Sequence, residues 1–156
     1  MRVSGYFLYN LVLGLWIGGM VMFTFIITPV IFKSYGRDMA GEVVGKLFPL
    51  YFPYNLALSI IALLLLLVFR AERAGLGYKL SLVLVAMAIV INVFVNFRLH
   101  PEARKVKQEI HSFEATPPES PLRKRFSRLH GVSMTLNLLL LADGVALLLI
   151  SSSLRK

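Results

Sequence analysis

Residues 3–32 read VSGYFLYNLVLGLWIGGMVMFTFIITPVIF, thirty positions without a formal charge between Arg2 and Lys33. A helix rising 1.5 Å per residue needs roughly 20 apolar residues to cross a ~30 Å hydrocarbon layer, and this run exceeds that. A cleaved signal segment has an apolar core of about 7–15 residues and ends at small residues. This run is longer and ends in Thr28-Pro29-Val30-Ile31-Phe32-Lys33, so it reads as a retained span. Three more such stretches follow: Leu47 to Phe69, Leu80 to Phe97, and Leu129 to Leu154, the last broken only by Asp143. The expected fold is an all-α integral membrane protein. It is a four-helix transmembrane bundle in a single domain, residues 1–156, with spans near 5–32, 49–69, 78–99 and 121–152.

The composition fits that solvent, with 57% hydrophobic and 16% charged residues. The chain has no cysteine, which excludes disulfides, iron–sulfur clusters and thiolate metal sites. A net charge of +9 on a soluble domain would suggest nucleic acid. Here the positive charges sort by side of the membrane instead, so no nucleic-acid partner is expected. Arg2, Arg70, Arg73, Lys79, Arg155 and Lys156 fall on the side of the termini. Lys33, Arg37, Lys46, Arg98, Arg104, Lys105, Lys107, Arg123, Lys124, Arg125 and Arg128 fall on the other. The excess of Lys and Arg predicts that segments 33–48 and 100–128 are cytoplasmic, with both termini outside, in a bacterial inner membrane.

Local patterns refine the picture. Asn10, Gly14, Gly18 and Thr28 fall on one face of span 1, which is expected to pack against a neighbouring helix. Span 2 is expected to start near Pro49 or Pro53, where proline suits a first turn, and its polar stripe is Tyr51, Asn55, Ser59 and Ala62. Val106, Ile110 and Phe113 form the apolar line of a cytoplasmic amphipathic segment between spans 3 and 4, expected to lie on an anionic leaflet. Ser120-Pro121 reads as a cap followed by the first residue of the last helix. That helix would carry Arg123, Lys124, Arg125 and Arg128 through anionic headgroups before entering the bilayer at Leu129. No internal repeat stands out.

The polar residues inside the spans are the candidates for function. His130, Ser133 and Asn137 are spaced three and four residues apart, on one face of span 4. Thr28, Asn55, Ser59, Asn92 and Asn96 fall at a similar depth on the other three helices. All eight lie roughly 3–14 Å from the cytoplasmic boundary at 1.5 Å per residue. An amide facing lipid is costly, so this layer is expected to point into the bundle, as a hydrogen-bond network or as a site for a small solute or ion. His130 with His100, at the end of span 3, forms the alternative: a pair of ligands for haem or a metal in a membrane redox protein or oxidase. The primary reading needs no cofactor. Asp143 stands apart, about 20 Å beyond His130 and about 140° away in helical phase, in the outer half of the membrane. Its expected partners are Asn10, Trp16, Tyr9 or Ser81. Glu102, Glu109, Glu114 and Glu119 lie on the basic cytoplasmic segment, where solvated ion pairs account for them. No nucleophile–base set, phosphate loop or carboxylate pair appears, so an enzyme is not the expected reading.

Three motifs carry a family resemblance. Trp16-Ile17-Gly18-Gly19-Met20 running into Thr28-Pro29-Val30-Ile31-Phe32 is the first, and Leu47-Phe48-Pro49-x-Tyr51 the second. The third is Phe126-x-x-Leu129-His130-Gly131-x-Ser133-x-x-x-Asn137-Leu138. Together they resemble the domain-of-unknown-function family found in transmembrane protein 205, across nearly the whole chain. The resemblance implies a four-helix integral membrane protein without established chemistry. Its characteristic positions would be Trp16, Gly18, Gly19, Pro29, Pro49, His130, Gly131, Ser133 and Asn137. A homo-oligomer or a membrane partner is the remaining expectation, because four spans make a thin wall for transport.

Overall fold

The computed structural model describes residues 2–70 and 75–153, so Arg73, Arg155 and Lys156 of the charge comparison lie outside the described residues. Among the described residues, four helices are long and apolar enough to cross a membrane: α1 Gly5–Ser34, α2 Arg37–Phe69, α3 Leu76–Glu109 and α4 Pro121–Ser153. Consecutive helices pack side by side, and α4 closes the ring against α1. This is an up-and-down four-helix bundle, the arrangement that short connections enforce. Its outer surface is apolar all round, with Leu64, Val68, Val83, Val90, Leu139 and Leu149 among many exposed large side chains. Such a surface belongs against lipid tails, not water.

Each helix turns one stripe inward at the three-and-four spacing of an α-helical face. On α1 it is Tyr9, Leu13, Trp16 and Met20; on α2 Tyr51, Asn55, Ser59, Ala62 and Leu66. On α3 it is Ser81, Val85, Ala88, Asn92, Val95 and Leu99; on α4 Leu140, Asp143, Gly144, Leu147 and Ser151. Lipid tails are as apolar as leucine, so burial alone does not hold such helices together; close packing and interhelical hydrogen bonds do. Gly19 and Gly144 supply the close packing. A β-carbon at Gly19 would stand 2.6 Å from the Tyr54 ring, and one at Gly144 2.9 Å from Ile17.

Two expectations about packing fail. Gly14 and Gly18 face outward, with nothing within 4 Å of a β-carbon built on either, so the small-residue stripe of span 1 is not a contact inside the chain. The inward face is set by Tyr9, Leu13, Trp16 and Met20, whose contact area outweighs two glycines. Nor do the prolines of span 2 sit in the first turn of its helix. The helix begins at Arg37 and runs through Pro49 and Pro53. At 33 residues α2 is about 50 Å long, some 20 Å more than the hydrocarbon needs. The surplus of α2, α3 and α4 projects at the end carrying segments 33–48 and 100–128, here termed the charged end.

Proline leaves its mark differently in α1 and α3. Each contains a π-helical stretch, Met22–Ile27 and Val95–Leu99. Thr28 N–H bonds back five residues to the Phe23 carbonyl, and His100 N–H to that of Val95. Each wide turn ends two residues before a proline, Pro29 or Pro101. A proline ring clashes with the carbonyl four residues earlier, at Phe25 and Phe97, and widening the turn relieves that clash. The same device in two helices of like direction is a structural repeat between the α1–α2 and α3–α4 hairpins, which the sequence alone does not display.

The amphipathic segment is present, but its apolar face meets protein and not a leaflet. It continues α3 directly, and Val106 and Ile110 are buried while Phe113 packs edge-on against Phe126 of α4. Asp38, in the first turn of α2, holds the segment down: Ser112 Oγ and Phe113 N–H both donate to its carboxylate at 2.6 Å. Ser120 Oγ caps α4 by accepting from Arg123 N–H at 3.3 Å.

Candidate functional site

The network nearest the charged end is built on Asn137. Tyr51 Oη donates to Asn137 Oδ1 at 2.5 Å, and Asn137 Nδ2 donates to Thr24 Oγ1 at 2.9 Å, which ties α2, α4 and α1 together. Phe23 stacks on Tyr51 with centroids 4.1 Å apart, and Phe48 on Phe52 at 5.1 Å. On α3, Asn96 Nδ2 donates to the Phe52 carbonyl at 3.1 Å and to its own helix at Asn92 O, 2.8 Å. A latch of hydrogen bonds and stacked rings therefore closes the bundle on this side. Thr24, not Thr28, is the α1 member. It lies inside the π-helical stretch and continues the inward stripe of α1, four residues after Met20, so the helical period does point to it.

Several expected members fall elsewhere. Thr28 and Ser133 are half-buried and make no side-chain hydrogen bond. His130 is exposed on α4 with its ring stacked on Phe126, 5.9 Å between centroids, so it does not enter the bundle. His100 packs against Phe48 and Phe52, at 5.5 and 4.9 Å. No ring contact joins the two imidazoles, and no cluster of three metal-capable side chains exists among the described residues. The basic residues of α4 also divide. Arg123 donates to the Phe113 and Thr116 carbonyls and lies 5.8 Å from the Phe113 ring, while Arg125 pairs with Glu102 at 2.9 Å. Arg123 is thus a staple for the connecting segment, and Lys124 and Arg128 are exposed on the surface.

Beyond the latch lies a second polar level. Gly144 follows Asn137 by seven residues and meets Ile17, seven before Thr24, so α1 and α4 keep one antiparallel register. Asp143 is therefore level with Ile17 and Gly18, at the centre of the uncharged run 3–32. The Tyr51–Asn137 bond sets α2 against α4, and the Asn96–Phe52 bond sets α3 against α2. On those registers Trp16, Asn55, Asn92 and Asp143 fall within about 6 Å along the bundle axis. One comes from each helix, and all are on the inward stripes, at 0%, 2%, 1% and 5% exposure.

Each of these four residues carries a side-chain atom with no hydrogen-bond partner: Trp16 Nε1, Asn55 Oδ1, Asn92 Nδ2 and both Asp143 oxygens. Asn55 Nδ2 spends itself on the Tyr51 carbonyl at 3.0 Å, and Ser59 Oγ on Leu56 O at 2.8 Å. Two of the partners expected for Asp143, Asn10 and Ser81, are turned to their own helices. Asn10 Nδ2 donates to Tyr6 O, and Ser81 Oγ to Gly77 O. An unpaired buried polar group costs about 1–3 kcal/mol, and an ionised Asp at the bilayer centre about 2.5–3.5 kcal/mol on insertion scales. Five such atoms lie at one level, donors and acceptors both, each without the hydrogen-bond partner that buried polar groups ordinarily have.

A family model described as a domain of unknown function, DUF4149, matches residues 11–112. The chain belongs to the DUF4149 family. An uncharacterized protein of Aquifex aeolicus (strain VF5) is 35% identical over 130 residues, which cover 82% of this chain and 83% of the relative. No solved structure matches the chain. The DUF4149 match takes in Trp16, Asn55 and Asn92 and ends before α4, which carries Asn137 and Asp143.

Proposed function

We propose that this protein binds or passes a small polar solute or ion at the midplane of its bundle, entering from the charged end past the Tyr51–Asn137–Thr24 latch. The observation that carries the reading is the set of unpartnered buried atoms on Trp16, Asn55, Asn92 and Asp143, one residue from each helix. A bundle held only by structural hydrogen bonds would pair these atoms with one another or replace them with leucine. The excess of lysine and arginine at the charged end supports its placement in the cytoplasm of a bacterial cell, in the inner membrane, with both termini outside. The motifs around Trp16, Pro49 and His130 support a kinship with the transmembrane protein 205-like members of such families.

A ligand that binds only the folded state raises its unfolding temperature by mass action. Purified protein in detergent should therefore be stabilised by at least one member of a panel of monovalent ions, divalent ions and small polar solutes. The triple variant Asn55→Leu/Asn92→Leu/Asp143→Leu should not respond to that member. Equal shifts in both proteins, or none across the panel, would remove the reading.

A further inference from the structure

We propose that the midplane centre takes a single positive charge, exchanged at Asp143 between a proton and an alkali cation. This rests on the reading above that the centre holds a polar ligand, and it names the ligand. The charge count comes first. Asp143 is the one acidic residue within the four uncharged stretches, and no lysine or arginine lies inside them. The formal charges that flank these stretches in sequence are Arg2 and Lys33 for the first, Lys46 and Arg70 for the second, Lys79 and Arg98 for the third, and Arg128 and Arg155 for the fourth. The other titratable groups inside the stretches are Tyr6, Tyr9, Tyr51, Tyr54 and His130, and Tyr78 and His100 stand just outside the two ends of the third. None of them is positive at the centre, so one carboxylate must be neutralised by one positive charge from outside the chain. A divalent ion would leave an excess charge in the hydrocarbon, and an anion would add to the one already there.

The ligand chemistry agrees. The two carboxylate oxygens and Asn55 Oδ1 are unpartnered hard oxygen acceptors at one level. Rotating the Asn92 amide by half a turn presents its oxygen in place of the unpartnered Nδ2, a choice that the hydrogen bonds around it leave free. Four such oxygens suit a hard cation. Transition metals favour imidazole or thiolate, and the inward stripes offer neither at this depth. The latch at Tyr51, Asn137 and Thr24 lies six residues of α4 nearer the charged end, about 9 Å away, and separates the centre from that side.

The centre also contains its own reporter, because Trp16 is the only tryptophan in the chain and its indole nitrogen is one of the unpartnered atoms. The experiment is Trp16 emission of the full-length protein in lipid nanodiscs, with NaCl exchanged for choline chloride at constant ionic strength between pH 5 and 9. The expected result is a saturable change on adding Na⁺, with the apparent affinity weakening about tenfold per unit of acidification where the proton competes. A change driven by pH alone, with no response to Na⁺, would overturn the exchange and leave Asp143 a titrating carboxyl only. Asp143→Asn should be silent to both, with unchanged helical circular dichroism and elution volume. His100→Gln and His130→Gln should respond as the wild type does. Wild-type emission indifferent to both pH and Na⁺, or the same response in Asp143→Asn, would overturn it. Stabilisation by a neutral polar solute in that event would leave the broader binding reading standing while removing this one.

Discussion

Asn137 and Asp143 are polar positions of α4 on either side of the buried Leu140, with opposite energetic signs. Asn137 is satisfied by Tyr51 and Thr24. Interhelical hydrogen bonds in membranes average about 0.6 kcal/mol and rarely reach 2. Tyr51→Phe removes one such bond and leaves Asn137 Oδ1 unpaired, so it should lower stability by about 1 kcal/mol, and Asn137→Leu, which breaks two, by about 1–2 kcal/mol. Asp143→Leu should move the other way. It replaces an unpartnered carboxyl with a side chain of similar size on a stripe that already holds Leu140 and Leu147, and should raise stability by about 1–3 kcal/mol. Unfolding by rising sodium dodecyl sulfate in mixed micelles measures all three. A destabilised Asp143→Leu would show that the carboxyl is a structural bond and not a site held open at a cost to the fold.

The connection between α3 and α4 shows how one side chain can organise an element. Asp38 accepts from Ser112 Oγ and Phe113 N–H, Arg123 grips the Phe113 and Thr116 carbonyls, and Lys107 donates to the Gly41 carbonyl. Gly41 and Gly45 leave room for that lysine, since a β-carbon at Gly45 would stand 3.1 Å from its Nζ. The hydrogen bond from Ser112, joined by those from the Phe113 and Glu114 backbone and the nearby Lys107 charge, holds the Asp38 carboxyl below its ordinary value of 3.8. A depressed carboxylate stabilises above the unfolded pKa and loses that contribution as pH falls through the folded one. Docking of segment 110–120 should therefore be intact from neutral pH down to about 4 and loosen only below it. Asp38→Asn should loosen it at every pH. Amide exchange at Phe113, or proteolysis at the Pro117 turn, reads both. This element was half legible in the sequence. The apolar spacing of Val106, Ile110 and Phe113 identified an amphipathic segment, but amphipathicity does not say whether the apolar side meets lipid or protein. That choice was made by Asp38, seventy-four residues away from Ser112.

At the scale of the whole molecule, the four spans were legible because uncharged length converts directly into membrane thickness. The candidate centre was legible only in part. Asn55, Asn92 and Asp143 stand out as polar residues in apolar runs, but depths counted from each run's charged edge split Asp143 from the others. Those edges do not mark one plane, because α2, α3 and α4 run on past their uncharged stretches into charged sequence and two π-helical stretches shift the register. The projecting ends also bear on orientation. Moving the charged end across a membrane would mean translocating eleven lysines and arginines, several of them locked into carbonyl and carboxylate contacts. The opposite end carries six. The bias is in short segments close to the spans, where it acts most strongly on insertion. Alkaline phosphatase fused after Lys156 should therefore be active in a bacterial host, and a fluorescent protein fused there should stay dark. A fluorescent protein inserted between Pro117 and Pro118 should fluoresce. The reverse pattern would place the Tyr51–Asn137–Thr24 latch toward the outside. The midplane centre would be unchanged, but the side from which its ligand arrives would be inverted.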